Sequence, residues 1–114
     1  IQVHPSREFY DFQAKYLDNL TTFEVPASLS EEISAKVRAA ALTAFTGLGC
    51  EGLARVDFFL TNSGGVIINE LNTLPGFTEK SVFPMLWQAS GVTYQEVITH
   101  LCTSALQRST SVIR

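Results

Sequence analysis

The chain has 114 residues, the size of one domain, and its 46% hydrophobic and 17% charged content suits a globular protein with a core. A net charge of −3 with no run of Lys or Arg argues against nucleic acid as a partner. No stretch approaches the roughly 18 consecutive apolar residues of a membrane span, and no signal peptide is visible.

Ile1 to Pro5 reads as the end of a strand. Residues 6–20 are polar and aromatic with no clean period, so a long loop is expected, partly helical over Asp11–Tyr16. Loops of that length inside a domain are usually functional or mobile. Thr22 to Val25 reads as a short strand before Pro26. Residues 28–48 give the strongest helix: Ser28 with Glu31 suggests a capping box, and Ile33, Val37, Ala40, Ala41, Ala44 and Leu48 form one apolar stripe. Gly49 suits the position just past its end. This helix is expected to cover a sheet and to carry no chemistry. Cys50 and Cys102 are far apart and lack a CxxC or His pair, so buried, reduced thiols of a cytoplasmic protein are expected.

The chemistry lies in the middle of the chain. Residues 53–60 and 66–78 read as two strands joined by the turn residues Asn62, Ser63, Gly64 and Gly65. With Thr61 and Val66 closing a four-residue loop, Asp57 falls opposite Glu70 and Arg55 opposite Asn72. Alternation places all four side chains on one face. Facing carboxylates repel unless a cation lies between them, and oxygen ligands from Asp, Glu and Asn suit magnesium. A solvated face carrying an Arg55–Asp57 ion pair is the plainer alternative, and spacing alone leaves both open.

After the hairpin, Pro75-Gly76 is a turn in which glycine can take positive φ and present its N–H. Ser81 is expected to cap a short helix to about Ser90, with Pro84 tolerated in its first turn and Gly91 ending it. A serine there would cap without any further role, yet a helix start also attracts carboxylates. Thr93 with Glu96 forms a second capping box for a helix that turns Tyr94, Val97, Ile98, Leu101, Cys102 and Ala105 inward. Residues 109–114 are polar and expected to fray.

Three separated motifs carry a family resemblance: Ala54-Arg55-Val56-Asp57, Asn69 through Thr78, and Phe9 through Tyr16, with Ser81-Val82-Phe83-Pro84 close behind the second. Together they resemble the carboxy-terminal portion of the D-alanine–D-alanine ligases, members of the ATP-grasp superfamily. The resemblance runs from Ile1 to about Leu106. It implies an α+β fold, the carboxy-terminal half of an ATP-grasp domain, with an antiparallel sheet covered by about three helices and no internal linker over 1–114. It also implies ATP as co-substrate and two magnesium ions, replaceable by manganese, on Asp57, Glu70 and Asn72. Arg55 and the Gly76 N–H would then stabilise transition states, and Lys15, Tyr16 and Ser81 would hold the amino acids. Phe9 and Asn69 would approach the nucleotide. Tyr16 favours an amine acceptor over the hydroxy acid used by depsipeptide-forming relatives. Such ligases are roughly three times longer, as several domains of the usual size require. The chain starts at Ile1 without methionine and has no glycine-rich phosphate loop, so a piece of a longer chain is expected, inactive alone; the resemblance implies a homodimer for the intact enzyme.

Overall fold

The computed structural model describes residues 1–4, 22–78 and 80–108. Strand β1 (Gln2–His4) pairs antiparallel with β2 (Thr22–Glu24). The helix α1 (Glu31–Gly47) comes next, then the hairpin of β3 (Arg55–Leu60) and β4 (Val66–Asn72), and finally α2 (Val82–Ala89) and α3 (Tyr94–Gln107). The expected α+β class, antiparallel pairing and three helices are all present. Among the described residues the four strands form two separate pairs rather than one sheet.

Local chemistry explains most element boundaries. Ser30, not Ser28, is the N-cap of α1; its Oγ accepts from the Ile33 N–H at 3.3 Å. With the helix starting at Glu31, both Glu31 and Glu32 fall in the first turn, where the helix dipole favours them. Helices α1 and α2 end alike. Gly49 and Gly91 take φ of +64° and +83°, and the residue after each bonds back to close a Schellman motif (Cys50 N–H to Phe45, Val92 N–H to Trp87, each 3.0 Å). Thr93 and Glu96 make the reciprocal capping box expected from their spacing.

The apolar stripe of α1 is half-buried and packs against β4, with Leu48 at the helix end left exposed. The tightest packing is elsewhere. Phe83 and Val97 are buried, each 6% exposed, and Pro75 and Pro84 are buried with them. Around Phe83 stand Phe77 (centroids 5.7 Å apart) and Trp87 (6.3 Å), and Phe77 also packs on Tyr94 (5.4 Å). This aromatic cluster binds the Pro-Gly loop to α2 and α3. The Arg108–Glu51 ion pair at 3.2 Å ties the end of α3 to the approach to β3. Cys50 is half-buried and Cys102 is exposed, not buried as expected; both are free thiols.

Candidate active site

The β3–β4 hairpin places the charged groups, by a route different from the expected one. Its connection is shorter: the Thr61 N–H donates to the Gly65 carbonyl and the Gly64 N–H to the Thr61 carbonyl, each at 2.9 Å. Leu60 therefore faces Val66, Phe59 faces Ile67 and Phe58 faces Ile68. Continued unchanged, that register would set Asp57 against Asn69. Instead Asn69 is an extra residue, a bulge, and from there Asp57 faces Glu70, Val56 faces Leu71 and Arg55 faces Asn72. The tighter loop and the bulge cancel, and the expected pairing at the site is recovered. Because a one-residue slip turns every side chain to the opposite face, the bulge is what sets Glu70 across from Asp57.

Both carboxylates then meet one guanidinium. Arg55 Nε donates to Asp57 Oδ1 at 2.9 Å, while Nη2 donates to Asp57 Oδ2 at 2.9 Å and to Glu70 Oε1 at 3.3 Å. A single nitrogen thus spans the two acids. The Asp57 hydrogen bonds raise the Arg55 pKa above its ordinary value; partial burial opposes this, and the charges of Asp57 and Glu70 add to it. Arg55 lies deepest, its side chain 21% exposed against 36% for Asp57 and 52% for Glu70. The acids are therefore open to an ion arriving from solvent.

Asn72, across from Arg55, uses its Oδ1 to accept from the Leu74 N–H at 2.9 Å. That bond fixes the chain where β4 turns into the Pro-Gly loop, and it leaves the oxygen a second lone pair. Among the described residues no group of three or more His, Cys, Asp or Glu gathers as a metal site. The donor set here is two carboxylates and one amide oxygen, a composition that suits a hard divalent cation.

Gly76 and Ser81 meet in the loop beyond. Gly76 does not take the positive φ that its turn suggested. Space there is tight: a Cβ would lie 3.1 Å from Ser81 Oγ, so a larger residue would push the serine oxygen by a few tenths of an ångström. Ser81 occupies the N-cap position of α2 but makes no side-chain cap. Its Oγ turns back instead, accepting from the Thr78 N–H at 3.0 Å and lying 2.9 Å from Thr78 Oγ1. The plain capping explanation for Ser81 therefore fails. Tyr94 fixes the same loop from the other side, its hydroxyl donating to the Phe77 carbonyl at 2.8 Å. Periodicity marks Tyr94 only as a core residue and gives Thr78 no role; hydroxyls at a loop and at a helix start are the available signal. Asn69 is exposed at the bulge. Phe9, Lys15 and Tyr16 lie outside the described residues.

A family model described as the D-ala D-ala ligase C-terminus matches residues 1–103. The chain belongs to that family. It is 53% identical over 107 residues to the D-alanine–D-alanine ligase of Frankia casuarinae, covering 94% of this chain and 28% of that one. Similarity to the Streptomyces griseus ligase is the same, 53% over 107 residues, with 94% and 27% covered. The chain thus spans under a third of these relatives. The Bacillus anthracis D-alanine–D-alanine ligase superposes with a TM-score of 0.76 at 33% identity, over 92% of this chain and 34% of that one. VanG D-Ala:D-Ser ligase from Enterococcus faecalis gives 0.75 at 34% identity, over 89% and 29%. A further Bacillus anthracis structure, complexed with ATP, gives 0.67 at 31% identity, over 71% and 28%. The fold is therefore the carboxy-terminal part of an ATP-grasp ligase, as the motifs implied.

Proposed function

We propose that the intact protein carrying this chain is a D-alanine–D-alanine ligase, and that this portion supplies the metal-binding and acceptor-binding half of its site. The observation that carries the reading is the bulge-set pairing of Asp57 with Glu70, both held by Arg55. ATP phosphorylates the carboxylate of one D-alanine, giving an acyl phosphate and ADP. The amine of a second D-alanine attacks that carbonyl, a peptide bond forms, and inorganic phosphate leaves.

Asp57, Glu70 and Asn72 are the residues that would hold two magnesium ions, or manganese in their place. The ions would neutralise charge on the nucleotide phosphates. Arg55, which reaches both carboxylates, would fork onto the phosphoryl oxygens of the intermediate. The Gly76 N–H donates to the developing oxyanion. Ser81, turned away from its own helix toward the Gly76 loop, holds the acceptor carboxylate together with Lys15, and Tyr16 orders the amino acids. Phe9 and Asn69 line the nucleotide side. Homology to ligases of that name, and to one solved with ATP, supports this assignment.

The dipeptide serves peptidoglycan precursor synthesis in the cytoplasm, with the intact enzyme a homodimer. In the described residues no helix is long and apolar enough to cross a membrane. Likeness to a D-Ala:D-Ser ligase supports a second reading, in which the acceptor is not D-alanine; a D-lactate acceptor belongs to the same class. The test is product analysis with the full-length enzyme, ATP, magnesium and D-alanine. One phosphate per D-alanyl-D-alanine is expected, with D-serine and D-lactate at least about tenfold poorer in kcat/KM. Phosphate release without dipeptide, or a preference for either alternative acceptor, contradicts the assignment.

A further inference from the structure

We propose that Tyr94 is a positioning residue for the acceptor side of the site, acting through the peptide unit between Phe77 and Thr78. That unit is held at both ends. Its carbonyl accepts from the Tyr94 hydroxyl at 2.8 Å, and its N–H donates to Ser81 Oγ at 3.0 Å. The same Ser81 oxygen stands 3.1 Å from where a Cβ on Gly76 would lie, a tight approach. Tyr94, the Phe77–Thr78 peptide and Ser81 therefore form one chain of hydrogen bonds, and Gly76, given the oxyanion role, lies beside its Ser81 end. The inference rests on that reading of Ser81 and Gly76.

The anchor is rigid. Tyr94 is the first residue of α3, directly after Thr93 of the capping box, and its ring packs on Phe77, which packs on the buried Phe83. A phenol at a capped helix start has little rotamer freedom left to lose, so its hydrogen bond fixes the carbonyl at low entropic cost. Ser81 Oγ then has a fixed donor in the Thr78 N–H, which orients its own proton and remaining lone pair. Packing alone would be satisfied by phenylalanine; the hydroxyl is explained by the peptide it holds.

Tyr94→Phe keeps the ring and removes one bond. In the full-length enzyme, kcat/KM for the acceptor D-alanine is expected to fall about five- to tenfold while the KM for ATP stays within twofold. Exchange of the Thr78 amide with deuterium is expected to quicken by a similar factor. Acceptor kinetics within twofold of the parent, a parallel rise in the KM for ATP, general loss of folding, or an unchanged Thr78 amide would each overturn the inference. If the parent enzyme itself makes no dipeptide, the proposed function fails. The amide exchange still decides whether Tyr94 holds the loop.

Discussion

Arg55 is the residue on which the site turns. It is the only cation within reach of either carboxylate among the described ion pairs, and it bonds to both. Two acids and one guanidinium leave the patch one negative charge in surplus, which favours a further cation. That much is readable in the spacing of Arg55, Asp57, Glu70 and Asn72, because alternation along a strand is a local property. Gly76 is readable as a special position but for the wrong reason. The constraint is the Ser81 oxygen 3.1 Å from where a Cβ would stand, a contact between residues five apart that no turn rule contains. Gly76→Ala should therefore move the loop rather than unfold the protein. The shift needed is a few tenths of an ångström, so steady-state assays of the full-length variant should show kcat down by less than the roughly hundredfold that a 1 Å misplacement costs, with a nearly unchanged melting temperature. A variant as active as the parent would show that the loop has slack.

At the scale of elements, the bulge at Asn69 converts a register that would hide Glu70 into one that presents it. Nothing in the sequence marks the bulge, because one extra polar residue in a strand leaves the apolar pattern legible on both sides of it. Deleting Asn69 removes the bulge and runs the Phe58–Ile68 pair directly onto Asp57–Glu70, so both carboxylates should stay on one face while the local kink is lost. Circular dichroism should change little, and dipeptide synthesis should fall by less than about tenfold. A hundredfold loss would show that the bulge itself, and not only the pairing it sets, is needed. The helix ends are more legible, since caps depend on neighbours three residues apart. Ser28 and Ser30 compete for α1, and the pair of glutamates after Ser30 decides it. At α3 the Thr93 backbone N–H, then its hydroxyl, hold Glu96 below the usual glutamate pKa. A carboxylate depressed on folding stabilises the folded state above its unfolded pKa of about 4.3, and that contribution is lost as pH falls through the lower folded value. Thermal melts of Glu96→Gln should thus converge on the parent below about pH 4 and diverge above it. A constant difference across that window would remove the box from the stability of α3.

For the whole molecule, burial is uneven. The aromatic cluster around Phe83 is dense, while Phe59, Leu60, Ile67 and Ile68 at the far end of the hairpin and Leu42 and Leu48 on α1 stay exposed. The class of the fold and its three helices can be read from periodicity and caps. That the strands form two pairs cannot, because pairing between distant segments leaves no local trace. The site lies between these regions, on the hairpin end nearest the aromatic cluster, where β4 runs into the loop that Tyr94 and Ser81 hold. The proposal that it seats phosphate-bound cations is tested most directly by the magnesium dependence of D-alanine-driven ATP hydrolysis, in the full-length enzyme and in Asp57→Asn. The account predicts that the variant needs at least about ten times more magnesium for half-maximal rate, with a lower maximum. Superimposable magnesium curves would contradict it.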